Sequence, residues 1–224
     1  MANRCQLYYV TDRTQFRGDE QERRRALLQK ITEAAHAGVD YIQLREKDLS
    51  IRALESLAKD AAKIIHETTA PYPLPTALLI NSRTDIALAV KAAGVHLPAN
   101  DLTPQEVRTA WKCGAGALAR EISPPDPLIS VSCHSPQEVS RAARNQATLA
   151  LFAPIFEKKD LPASQLAGLE NLRQSCRARI PVLALGGVTL ENARSCIAAG
   201  AAGIAAIRLF QENDIATIVR ELRR

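Results

Sequence analysis

Eight short apolar, strand-like runs alternate in unbroken order with eight stretches of helical period. The strand-like runs cover residues 6–12, 39–45, 77–82, 94–98, 128–134, 147–156, 181–187 and 203–209. Helices are expected near 20–36, 50–69, 85–92, 104–113, 136–144, 165–177, 191–199 and 213–223. A helix between each pair of strands returns the chain to the end where it started, so the strands must pair in parallel. Eight such units in 224 residues predict an α/β fold, a single-domain (β/α)8 barrel of the TIM type, with no linker dividing the chain. An open doubly wound sheet usually has fewer strands, and its G-x-G-x-x-G is missing after the first run. The punctuation agrees. Gly38, Gly94 and Gly200 stand where helices would end in a left-handed residue, and Ser50, Thr103, Ser135 and Thr189 stand where helices would be capped. The proline-rich stretches 71–75 and 124–127 read as loops.

Barrels of this kind carry their chemistry at the C-terminal ends of the strands. Those ends gather polar groups here: Gln43, Arg45 and Lys47 after strand 2; Asn81, Ser82 and Arg83 after strand 3; His96, Asn100 and Asp101 after strand 4; Ser132, Cys133 and His134 after strand 5. The segment after strand 6 carries Glu157, Lys158, Lys159 and Asp160; strand 7 ends at Gly186 and Gly187, and strand 8 at Arg208. In YIQLREKDLS, positions 43, 45 and 47 alternate with Leu44 and Glu46, so in a strand they share one face. Three donors with two positive charges suit an anion such as a phosphate. The competing reading pairs Arg45 and Lys47 with Glu46 and Asp48 as an ordinary polar rim. Gly186 and Gly187 let a ligand approach bare backbone, which suits a second phosphate, and also fit a tight turn with no ligand. Asp101 reads as a turn residue or, beside a diphosphate, as an oxygen ligand for Mg2+. His134 reads as a general acid–base or as a hydrogen-bonded strand-end histidine.

The remaining composition narrows the partners. Net charge is +5, yet only 4% of residues are aromatic and the basic runs fall on helical faces, so nucleic-acid binding is not expected. A modest positive excess suits small anionic substrates. No apolar run reaches the roughly 18–20 residues of a membrane span, and the first residues carry no apolar signal region, so the expected location is the cytoplasm. Five cysteines show no C-x-x-C pair or metal-ligand spacing, and read as reduced thiols, with Cys133 the one near the expected rim. Whether the chain forms a homo-oligomer stays open.

The segments YYVTD (8–12), GVDYIQLREKDLS (38–50), LLINSRTDIAL (78–88), AGVHLPANDL (93–102), SVSCHS (130–135), FAPIFEK (152–158), IPVLALGGVTLENA (180–193) and AGAAGIAAI (199–207), in this order, resemble the thiamine phosphate synthase/TenI superfamily. The resemblance implies a (β/α)8 barrel that joins a pyrimidine diphosphate to a thiazole phosphate and releases pyrophosphate. It implies that Gln43, Arg45 and Lys47 hold the diphosphate, with Lys47 and Ser132 also catalytic, that Asn81 binds substrate and that Asp101 holds Mg2+. It places the thiazole phosphate at Gly186, Gly187, Ile207 and Arg208. The chain departs from the synthase pattern in four places. Ser82 replaces an aspartate that binds Mg2+, and Pro98, Ala99 and Asn100 precede Asp101. Glu157–Asp160 replaces a threonine-containing loop, in which Lys158 or Lys159 would substitute as cations. Arg208 replaces a serine. The TenI branch offers a metal-independent thiazole tautomerase, with His134 of the Ser132-Cys133-His134 segment moving the proton; the intact Gln43, Arg45, Lys47 triplet has no evident use there. A non-catalytic thiazole or thiamine phosphate-binding protein is the third alternative. The segment 157–165 is expected to be the least ordered part of the rim.

Overall fold

The structure is a computed structural model that describes residues 4–69, 76–114, 125–156 and 166–224. The segment after strand 6, with Lys158 and Lys159, lies outside the described residues, as do residues 71–75 and the expectation about order at 157–165.

Eight strands close into a parallel barrel in sequence order, with β8 paired to β1. They are β1 (Gln6–Val10), β2 (Tyr41–Leu44), β3 (Ala77–Asn81), β4 (Gly94–Leu97), β5 (Leu128–Cys133), β6 (Leu149–Phe152), β7 (Val182–Leu185) and β8 (Gly203–Ala206). Around them run α1 (Glu20–His36), α2 (Ile51–Thr69), α3 (Thr84–Ala89), α4 (Pro104–Gly114), α5 (Pro136–Arg144), α6 (Gly168–Ser175), α7 (Leu190–Ala198), α8 (Arg208–Gln211) and α9 (Ile215–Leu222). Several of the helices combine a side-chain cap with an apolar stripe. Asp19 and Glu22 make a reciprocal capping box at α1, and Asp214 accepts from the Thr217 amide at α9. On α2, Leu54, Leu57, Ala58, Ala61 and Ile65 recur at helical spacing and are all buried against the barrel.

Each strand turns alternate residues outward and inward. The outward set (Leu7, Ile42, Ile80, Val95, Ala150 and Ile204 among them) forms the main core under the helices. The inward set is divided. Tyr8, Val10, Leu149, Leu151, Leu183 and Ala205 make a small apolar cluster on the side of β1 and β6–β8. The side of β2–β5 is lined by Gln43, Asn81, His96, Ser130 and Ser132, joined by hydrogen bonds. The polar half of the interior belongs to the strands whose ends carry the cationic triplet.

Three expectations need correcting. The last apolar run does not continue as a strand to residue 209: β8 stops at Ala206, and Arg208 opens the short helix α8. Tertiary packing explains the bend. Phe210 is fully buried 5.7 Å from the Tyr9 ring, and Gln211 bonds to both the N–H and the C=O of Asp12. The run 147–156 likewise shortens to Leu149–Phe152, because residues 153–156 turn to donate to β5 and to the β7 end. Gly38 and Gly200 do adopt positive φ, but Gly94 does not. Gly94 opens β4, where a Cβ would lie 1.8 Å from the Leu128 carbonyl oxygen, so the glycine there serves close strand approach.

Candidate active site

All eight strands point the same way, so their C-terminal ends share one rim. At the β2 end, Gln43 is buried inside the barrel and its Nε2 donates to Asn81 Oδ1 at 2.8 Å. Asn81 in turn donates to Ser82 Oγ at 3.1 Å. The Gln43 Oε1 atom is buried and has no hydrogen-bond partner among the described residues.

The acidic residues interleaved with the triplet are committed elsewhere. Arg13, which is 4% exposed, directs all five guanidinium N–H groups at carboxylates. Its Nε and Nη2 donate to Glu20 at 2.7 and 3.1 Å, its Nη1 to Glu46 at 3.2 Å, and Nη1 and Nη2 to Asp48 at 2.7 and 2.9 Å. Glu46 also accepts from Thr11 Oγ1 at 2.6 Å and from the Arg13 amide at 3.0 Å. Thr11 Oγ1 accepts from the Arg45 amide at 3.0 Å. Burial pushes the Glu46 carboxyl above its ordinary range, opposed by the bonds from Thr11 and Arg13. The polar-rim alternative is therefore not what forms: Glu46 and Asp48 pair with Arg13. Among the described residues Arg45 and Lys47 have no ion-pair partner.

Their charge reaches His96. This histidine is fully buried, and desolvation followed by the positive charges of Arg45 and Lys47 holds its pKa down at about 3. It is neutral at working pH. Its Nδ1 meets Ser130 Oγ at 2.8 Å, its Nε2 meets Ser132 Oγ at 2.9 Å, and Ser130 Oγ meets Tyr8 Oη at 2.9 Å. Further round the rim, His134 is exposed, and its Nδ1–H donates to the Ala153 carbonyl at 2.8 Å. It therefore does behave as a hydrogen-bonded strand-end histidine, with Nε2 open. Cys133 faces the helical layer, buried, and burial pushes its thiol up to about 12. It is an inert core residue rather than a rim nucleophile.

Asp101 lies in the turn after β4, where its Oδ1 accepts from the Leu102 amide at 2.8 Å and its Oδ2 has no partner among the described residues. No group of three or more His, Cys, Asp or Glu residues able to hold a metal occurs among the described residues. On the opposite side of the rim a cavity of about 550 Å³ opens between the ends of β7 and β8. Gly186, Gly187, Thr189, Ile207, Arg208 and Asn213 are among its lining residues. Gly186 and Gly187 have φ of 95° and 69°, and a Cβ on Gly186 would come 2.9 Å from the Pro154 Cα. The two glycines are thus required by the turn itself, and they leave its backbone bare toward the cavity.

The structure brings Gln43, Arg45, Lys47, Asn81 and Ser132 to one side of the rim and Gly186, Gly187, Ile207 and Arg208 to the other. Sequence reasoning missed two parts. The Arg13 clamp was invisible because its partners are 7, 33 and 35 positions away. The Tyr8–Ser130–His96–Ser132 chain left one trace, the alternation that places 130 and 132 on the same strand face.

Comparison with known proteins agrees with the fold. The chain is 36% identical over 207 residues to a putative thiamine-phosphate synthase 2 of Aquifex aeolicus, covering 92% of this chain and 97% of that protein. It is 34% identical to a thiamine-phosphate synthase of Clostridium novyi, covering 93% and 91%. A solved structure of a thiamine phosphate pyrophosphorylase from Pyrococcus furiosus superposes with a TM-score of 0.75 at 27% identity, over 99% of this chain and 95% of that one. The sequence profile of the family described as thiamine monophosphate synthase matches residues 7–210, so the chain belongs to that family.

Proposed function

We propose that this chain is a thiamine-phosphate synthase, a transferase that joins hydroxymethylpyrimidine diphosphate to thiazole phosphate and releases pyrophosphate. The observation that carries the reading is the pair of cations Arg45 and Lys47, which among the described residues have no carboxylate partner because Arg13 takes both neighbouring ones. They stand beside a polar barrel half and across the rim from a glycine-lined cavity.

The chemistry follows from what each side can do. Arg45 and Lys47 bind the diphosphate and offset the charge that builds on its bridging oxygen as the bond to the pyrimidine methylene carbon breaks; the electron pair leaves with pyrophosphate. The Gln43 Oε1 takes an N–H of the pyrimidine amine, and Asn81 holds the Gln43 amide in that orientation. The Gly186 and Gly187 backbone, with Ile207 and the Arg208 guanidinium, receives the thiazole phosphate. The thiazole nitrogen lone pair then forms the new bond to the methylene carbon, held close by two anchored phosphates. Lys158 and Lys159 are further candidates for the phosphate groups. Asp101, beside which no cluster of three metal-ligating side chains occurs among the described residues, is the carboxylate that would hold a Mg2+ ion. Such an ion would supply additional charge stabilisation to the leaving group.

The test is incubation with both substrates and Mg2+. Thiamine phosphate and pyrophosphate should appear in equal amounts, and Lys47→Ala should reduce kcat/KM by about 100-fold or more. Absence of product, together with proton exchange on the thiazole that is lost in His134→Ala, would make the protein a tautomerase. Tight binding of the phosphates with neither activity would make it a binding protein.

A further inference from the structure

The buried chain of hydroxyls around His96 has a direction, and counting its protons reveals it. Tyr8 Oη has one partner among the described residues, Ser130 Oγ at 2.9 Å. Ser130 Oγ has two, Tyr8 Oη and His96 Nδ1 at 2.8 Å. Both Tyr8 and Ser130 are 0% exposed, so water supplies neither with an alternative. This closed end of the chain therefore contains two hydroxyl protons and two hydrogen-bond contacts.

If His96 accepts at Nδ1, both protons are used: Tyr8 O–H donates to Ser130 Oγ, and Ser130 O–H donates to Nδ1. If His96 instead donates from Nδ1, its N–H occupies one contact and one of the two hydroxyl protons is stranded in the barrel interior. A stranded buried donor is disfavoured by roughly tenfold to a hundredfold. His96 is neutral in this setting, since burial and the neighbouring Arg45 and Lys47 charges hold it so; one ring nitrogen carries a proton and the other does not. With Nδ1 accepting, the proton sits on Nε2 and is donated to Ser132 Oγ at 2.9 Å. The Ser132 oxygen is then satisfied as an acceptor. Its own proton points away from His96, and Ser132 is only half-buried.

We propose that buried Ser130, whose oxygen already meets the Tyr8 hydroxyl, is a positioning residue that fixes His96 as its Nε2–H tautomer and so presents the Ser132 hydroxyl to the site as a hydrogen-bond donor. The ligand atom that meets Ser132 is by this account an acceptor, a phosphate oxygen or an unprotonated ring nitrogen, and not an amine. Ser130 acts only through His96 and Ser132. This second step rests on the synthase reading, whereas the tautomer does not.

The two parts are therefore read separately. In ligand-free protein labelled with 15N-histidine, the two-bond 1H–15N spectrum at pH 7 should show His96, assigned by its loss in His96→Asn, with a protonated Nε2 and a bare Nδ1. Tyr8→Phe should keep that pattern, because Ser130 still has only His96 to donate to. Ser130→Ala, which removes the closed end, should give a mixture of tautomers. An Nδ1–H tautomer or an imidazolium in the wild-type protein overturns the proposal, and that measurement needs no variant to fold beyond the assignment. So does an unchanged tautomer in Ser130→Ala. In the coupling assay Ser130→Ala should lower kcat/KM by roughly tenfold, and Ser130→Ala combined with Ser132→Ala should be no worse than Ser132→Ala alone. Additive losses would show that Ser130 does not act through Ser132.

Discussion

At the scale of single residues, the rim is built by commitment and release. Arg13 takes the carboxylates of Glu46 and Asp48, and among the described residues that leaves Arg45 and Lys47 without carboxylates of their own. Ser82 is the position where one further carboxylate would matter. Its φ is 59°, a left-handed conformation that aspartate adopts more readily than most residues, and it sits next to Asn81 in the polar half of the barrel. Ser82→Asp should therefore fold normally, and a Mg2+ titration of the coupling reaction should show half-saturation at a severalfold lower metal concentration. His96 gives a second residue-level prediction. Its folded pKa lies far below the ordinary histidine value of 6.5, at about 3, so below pH 6.5 the unfolded chain binds a proton that the folded chain refuses. Stability therefore falls as pH is lowered, beginning near 6.5 and continuing toward 3. Between pH 6 and 5, urea unfolding should show a slope from this group approaching about 1.4 kcal/mol per pH unit, absent in His96→Asn.

At the scale of elements, the Arg13 clamp joins three pieces of chain: the turn after β1, the exit of β2 and the first turn of α1. Thr11 adds a tie from the β1 exit to the Arg45 amide. The clamp fixes where the β2 exit lies, and with it the origin of the cationic side chains. Arg13→Ala leaves Glu46 buried without its cation, and denaturant unfolding should register a loss of about 3–5 kcal/mol. Adding Glu46→Gln should recover part of that loss, since a neutral amide is easier to bury than an unpaired carboxylate. A second element-level constraint lies at the start of β4. Gly94→Ala would force a methyl into the Leu128 carbonyl, so soluble expression should collapse, while Gly168→Ala, whose Cβ meets nothing within 4 Å, should cost only the strain of its φ of 72°.

At the scale of the whole molecule, the closed parallel barrel converts eight separate loops into one surface. Its interior is polar on the β2–β5 side and apolar on the β6–β1 side, and the two anion-ready clusters stand on opposite sides of the mouth. Because different strands carry them, they should bind independently in the absence of reaction. Pyrophosphate and the thiazole phosphate, each at many times its dissociation constant, should raise Tm by increments that add. The Arg45→Ala, Lys47→Ala double variant should lose the pyrophosphate increment alone, and Arg208→Ala the thiazole phosphate increment alone. Among the described residues no helix is long and apolar enough to cross a membrane.

The alternation of strand and helix was enough, by itself, to determine the barrel, since parallel strands joined by helices have few ways to close and each local period is readable over a few residues. It also determined which strand ends carry polar groups, because in this topology every C-terminal end meets the same rim. Only the tertiary structure decided the partners. Whether Glu46 and Asp48 were committed depended on Arg13, more than 30 positions away, and the orientation of His96 depended on a serine 34 positions along the chain. The same holds for the bend at Arg208, where burying Phe210 against Tyr9 outweighs the β-like character of the local run. Periodicity encodes which face a side chain occupies; the register and closure of the barrel decide what stands opposite it.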